Sequence, residues 1–171
     1  YLLIGQSNMA GRGSIEAQDT LPNPRILSLN KNNEWVVAKE PLHFDKPKVA
    51  GVGPGISFAR KLLPGLPPDV KIGLIPCACG GSPISTWAPG QFWEQTGSYP
   101  YDDAVRRTKV ALKNGTLKGI LWHQGESDKK PESVAAYKSN LIRLINNLRT
   151  EFDIPEVPFI AGELGLFRLN N

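Results

Sequence analysis

Cysteine, histidine and methionine are scarce in this chain of 171 residues, with two, two and one respectively. The two cysteines stand at Cys77-Ala78-Cys79, and residues two apart seldom reach the Cβ geometry that a disulfide requires. A zinc site would need further cysteines or neighbouring histidines, and the chain offers only His43 and His123. Both thiols are therefore expected as small buried hydrophobes, with no metal and no cofactor. Long apolar runs are also lacking. None approaches the roughly 18 residues that read as a membrane span, so no membrane partner is expected. Nor is there an excess of one charge: 20 basic and 16 acidic residues leave +4, with the signs interspersed. That balance is too mild to point to nucleic acid.

What is there fits a globular domain. The sequence is 40% hydrophobic and 21% charged, and its length suits one domain, 1–171, with a sizeable core. It opens directly on Tyr1-Leu2-Leu3-Ile4 with no basic segment ahead. A secretory leader is thus not expected within these residues, and the compartment, secretion included, stays open.

Apolar runs alternate with helical patterns, the mark of an α/β fold. Tyr1–Ile4, Ile72–Ile75, Leu117–Trp122 and Val157–Ala161 are short continuous runs suited to strands buried on both faces. Arg25–Leu29 and Glu34–Val37 flank Asn30-Lys31-Asn32-Asn33 and predict a hairpin. Between Pro131 and Phe152 the apolar residues recur every three or four positions, which predicts a helix with proline in its first turn. Shorter helices are predicted over Tyr101–Asn114 and Ile56–Leu63. Strand–helix–strand order with core strands implies a parallel sheet with right-handed crossovers.

Ligands of such sheets sit beyond the carboxyl ends of the strands. Three strand ends carry distinctive residues: Gly5-Gln6-Ser7-Asn8, Cys79-Gly80-Gly81-Ser82 and His123-Gln124-Gly125-Glu126. Ser7, on a strand-to-helix turn, reads either as a nucleophile or as a helix cap. Gly80-Gly81 lets backbone N–H groups approach a ligand, or simply makes a tight turn. Gln124 can donate to developing negative charge, and Glu126 can orient a histidine or act as a base. The bland alternative leaves Gln124 and Glu126 satisfying local backbone groups and Glu126-Ser127-Asp128 as a solvated loop.

Together these blocks resemble the SGNH (GDSL-like) hydrolase superfamily, in its branch with carbohydrate esterase family six and sialate O-acetylesterase-like domains. Gly5-Gln6-Ser7-Asn8-Met9-Ala10-Gly11-Arg12-Gly13 resembles the nucleophile block. Gly80-Gly81-Ser82 with Ile84 and Trp87 resembles the glycine block, and Trp122-His123-Gln124-Gly125-Glu126-Ser127-Asp128 the glutamine block. The resemblance implies a three-layer α/β/α, flavodoxin-like fold with about five parallel strands. It implies a serine esterase that removes O-acetyl groups from an acetylated carbohydrate through an acyl-enzyme. Ser7 would be the nucleophile, with Ser7, Gly80 or Gly81, and Gln124 forming the oxyanion hole and Glu126 a further site residue.

The family's catalytic histidine lies in an Asp-x-x-His block, a motif absent from residues 1–171. It is expected beyond Asn171, and neither His43 nor His123 is assigned as base. A non-catalytic carbohydrate-binding relative is the first alternative. A nucleotide-binding module, through Gly51-Val52-Gly53-Pro54-Gly55 before a helix, is the second. Trp87, Phe92, Trp93, Tyr99 and Tyr101 follow the glycine block, and serve either as core or as stacking surfaces for sugar.

Overall fold

A computed structural model describes residues 1–165. The strands are β1 Leu2–Gly5, β2 Ile26–Leu29, β3 Trp35–Val37, β4 Ile72–Pro76, β5 Ile120–His123 and β6 Phe159–Ala161. They form one sheet in the order β3-β2-β4-β1-β5-β6. Five of them run parallel; β3 alone is antiparallel, joined to β2 by the expected hairpin. The helices are α1 Ser7–Ala10, α2 Pro54–Leu62, α3 Pro100–Ala111 and α4 Pro131–Phe152.

The layers follow from the pleat, because successive strand residues face opposite sides. Leu2, Ile4, Ile75, Ile120 and Trp122 belong to one apolar cluster, which includes Ala104 of α3 and Leu144 and Leu148 of α4. Leu3, Leu74 and Leu121 belong to the other, with Ile56 and Ala59 of α2. Helices thus cover both faces, giving the three layers. Cys77 and Cys79 are free and buried, in the first cluster.

Two sequence expectations need correction at this level. Val134, on α4's pattern of apolar positions, is 61% exposed; only Leu144 and Leu148 of that helix are fully buried. The first two residues of Gly51–Gly55 do not offer free N–H groups to a ligand. The Gly51 and Val52 amides donate to the carbonyls of Gly11 and Gly13, and a Cβ on Gly51 would lie 2.1 Å from the Gly13 oxygen. The glycines there allow two backbone segments to touch, which is a packing role rather than a phosphate cradle.

Candidate active site

β4, β1 and β5 are neighbours in the sheet, so the three distinctive turns leave it side by side at one edge. Gly5 ends β1 with φ +132°, and a Cβ there would lie 2.1 Å from the His123 carbonyl oxygen. Only glycine fits so close to β5 in that conformation. The chain then enters α1 directly. Ser7 is its first residue and Gln6 its cap, so Ser7 is not an N-cap. The Ser7 side chain is half-buried, and its hydroxyl has no hydrogen-bond partner among the described residues. Its N–H belongs to the first helical turn, whose donors have no partner within the helix.

Gln124 is only 3% exposed. Its amide nitrogen lies within hydrogen-bonding distance of Gln6 Oε1 at 3.1 Å, the Ser82 carbonyl at 3.0 Å and Asp128 Oδ2 at 2.5 Å. The amide expected to donate to developing negative charge is therefore committed to protein acceptors, one from each neighbouring turn and one from its own. Burial decides this, since an amide out of water needs internal partners. Asp128 is buried too, and accepts from the Ile84 N–H at 3.0 Å. Of Glu126-Ser127-Asp128, then, Asp128 is not solvated, while Ser127 is exposed and its hydroxyl donates to the Gly81 carbonyl at 2.9 Å. The sequence signal for Asp128 was its place four residues after Gln124, within side-chain reach.

Glu126 is half-buried, and Oε1 accepts from the Asn8 side-chain amide. Its Oε2 is buried without a partner, which leaves one carboxylate oxygen open to a donor. No backbone N–H serves it among the described residues, contrary to the bland expectation.

The two glycines of the second turn differ. Gly80's N–H donates to Asp45 Oδ2 at 2.8 Å, so it is not the free donor that the sequence suggested. Gly81's N–H has no acceptor among the described residues. Trp87 and Tyr101 are core: the Trp87 ring meets Trp122 edge-on at 5.3 Å and donates to the buried Ser82 hydroxyl at 2.9 Å. Trp93 donates to the Gly80 carbonyl at 3.2 Å. Phe92 and Tyr99 remain about half exposed, at 49% and 47%, with ring centroids 5.1 Å apart.

His43 is buried, and its Nδ1 accepts from the Ala78 N–H at 3.3 Å. Burial pushes its pKa down to about 4, so it stays neutral near pH 7. His123 turns the other way from Gln124, its ring lying against Gly162. Neither histidine hydrogen-bonds to Ser7. Among the described residues no three of His, Cys, Asp and Glu gather as a metal ion would need. A cavity of about 700 Å³ lies at the opposite end of the sheet, lined by Tyr1, Trp35, Ile75 and Leu117, and contains none of the candidate residues.

Comparison with known proteins places this geometry in a family context. A family model described as carbohydrate esterase, sialic acid-specific acetylesterase, matches residues 1–171. A probable carbohydrate esterase of Arabidopsis thaliana is 39% identical over 179 residues, covering 94% of this chain and 66% of that protein. A probable 9-O-acetyl-N-acetylneuraminic acid deacetylase of Escherichia coli K12 is 25% identical over 212 residues, covering 94% and 65%. An X-ray structure of an Arabidopsis thaliana protein superposes with a TM-score of 0.84 at 39% identity, covering 94% of this chain and 71% of that one. The chain thus spans just under two thirds of the length of these two curated relatives.

Proposed function

The chain belongs to the carbohydrate esterase, sialic acid-specific acetylesterase family, and from that premise we propose that it is a serine acetylesterase acting on O-acetylated carbohydrate. The observation that carries this reading is Ser7. Its hydroxyl is half-buried and unpartnered, at the end of a central strand between the glycine and glutamine turns.

In the proposed reaction Ser7 Oγ attacks the acetyl carbonyl carbon while a general base takes the hydroxyl proton. The carbonyl oxygen becomes an oxyanion, which the N–H groups of Ser7 and Gly81 would receive. The C–O bond to the sugar then breaks, and the proton passes from the base to the departing sugar oxygen. Water repeats the sequence on the acetyl-enzyme, releasing acetate and restoring Ser7. The family resemblance assigns the base to a histidine of an Asp-x-x-His block. Glu126 Oε2, buried and unpaired, is suited to accept that histidine's N–H. Gln124 serves this reading by tying the three turns together, and Gly80 by carrying the peptide that presents Gly81.

The test is covalent labelling. In the full-length protein a phosphonate serine reagent should label Ser7 stoichiometrically, with loss of acetyl-ester turnover, and Ser7→Ala should abolish both. Undiminished labelling of the alanine variant would place the nucleophile elsewhere. Sugar binding without any turnover would favour a non-catalytic relative.

A further inference from the structure

From Gly80 to Ser82 every backbone polar group but one has a partner. The Gly80 N–H goes to Asp45 and the Gly80 carbonyl accepts from Trp93 Nε1. The Gly81 carbonyl accepts from Ser127 Oγ, the Ser82 N–H donates to the Cys79 carbonyl, and the Ser82 carbonyl accepts from Gln124. The Gly81 N–H is the exception. A trans peptide points its C=O and the following N–H in opposite directions. With the Gly80 carbonyl held toward Trp93, the Gly81 N–H is therefore aimed away from it.

Asp45 fixes the other end of this unit. Its side chain is 2% exposed, and Oδ2 also accepts from Arg12 Nη2 at 2.8 Å in an ion pair. Arg12 comes from the turn that carries Ser7, and its Nη1 donates to the Gly11 carbonyl at 2.7 Å. A side chain at Gly80 would displace the pair: a Cβ would lie 2.5 Å from Arg12 Nη2 and 2.7 Å from Asp45 Oδ2. A buried carboxylate beside a developing oxyanion would oppose it. The paired guanidinium offsets that charge.

We infer that Asp45, clamped by Arg12, is a positioning residue that holds the Gly80–Gly81 peptide so that, of this turn, Gly81 alone offers its N–H to the reacting carbonyl, beside that of Ser7. This rests on the esterase reading above, since the donor matters only if an oxyanion forms. Asp45 acts through Gly80 and touches no substrate.

Asp45→Ala and Asp45→Asn in the full-length protein form the test, because asparagine keeps an oxygen for the Gly80 N–H. Asp45→Ala should lower kcat about 100-fold, the scale of a misplaced catalytic group, with KM within about twofold. Asp45→Asn should recover most of that loss. Equal kcat losses in both variants, or none in either, would overturn the inference. Amide hydrogen exchange gives a readout independent of turnover, and one that the wild-type protein supplies even if Asp45→Ala fails to fold. Gly80 should be protected in the wild type and in Asp45→Asn, and Gly81 should exchange freely. An unprotected Gly80 would sink the Asp45 assignment alone, whereas failure of Ser7 to label would sink the esterase reading.

Discussion

The Gln124 side-chain amide donates to the Gln6 side-chain carbonyl at 3.1 Å, joining the end of β5 to the turn after β1. Gln6 Oε1 also accepts from the Ser127 N–H at 3.3 Å. The residue before Ser7 is thus held from both sides of the glutamine block.

Gln124→Ala should therefore act on the fold as well as on the chemistry. It removes the donor to the Ser82 carbonyl, which has no other partner among the described residues, and leaving such a buried group unsatisfied costs about 1–3 kcal/mol. The Asp128 and Gln6 oxygens keep the Ile84 and Ser127 N–H groups. Thermal or urea unfolding should show a clear loss of stability alongside reduced turnover. A variant with unchanged stability would return Gln124 to the role of a free side chain facing the substrate.

Gly5→Ala should be more severe. The new methyl group would sit 2.1 Å from the His123 oxygen, at a φ of +132° that L-residues avoid. Clash and backbone strain together should cost about 3 kcal/mol or more. Urea titration would measure this, and a fully stable Gly5→Ala protein would contradict the close approach of β1 to β5.

His43 predicts a pH dependence of stability. Burial lowers its pKa to about 4, Asp45 opposes that shift, and Arg12 and Arg107 add to it. The unfolded chain binds this proton near pH 6.5, so between roughly pH 6.5 and 4 it holds more protons than the folded chain. Stability must then fall as pH drops through that window, by up to about 3 kcal/mol from this group. His43→Gln should flatten the slope of unfolding free energy against pH between 6.5 and 4. An unchanged slope would mean that His43 titrates normally.

Burial also pushes the Cys77 and Cys79 thiols up to about 11 and 12. Thiolate is the reactive form, so at pH 8 neither should react with a thiol-exchange reagent in the native protein. Both should react at once in denaturant. Rapid native labelling would show that the strand β4 exit opens readily.

The central strands were legible because each is a short apolar run buried on both faces, and Leu2, Leu3 and Ile4 carry no ambiguity of period. Their carboxyl ends located the site, since β4, β1 and β5 lie adjacent. The internal acceptors of Gln124 were not legible because an amide at a strand end looks the same in sequence whether it meets substrate or protein oxygens. Asp45 was missed for another reason. Its partners Arg12 and Gly80 are distant along the chain, and nothing local marks a loop aspartate as buried. Gly51–Gly55 looked like an anion loop because glycine permits close approach to any group, and here the group is the backbone after α1.

The strand order has a consequence for how the chain is made. Leu2 pairs with Ile75 on one side and Ile120 on the other, so β1 is flanked on both sides only once β5 has been made. At about 5–20 residues per second, translation from Leu2 to Ile120 takes on the order of ten seconds. Until β4 emerges the Leu2–Gly5 segment has neither sheet partner, and from then until β5 it has one. The central strand of the sheet is thus closed by contacts far apart along the chain, and such long-range pairing is slow to form.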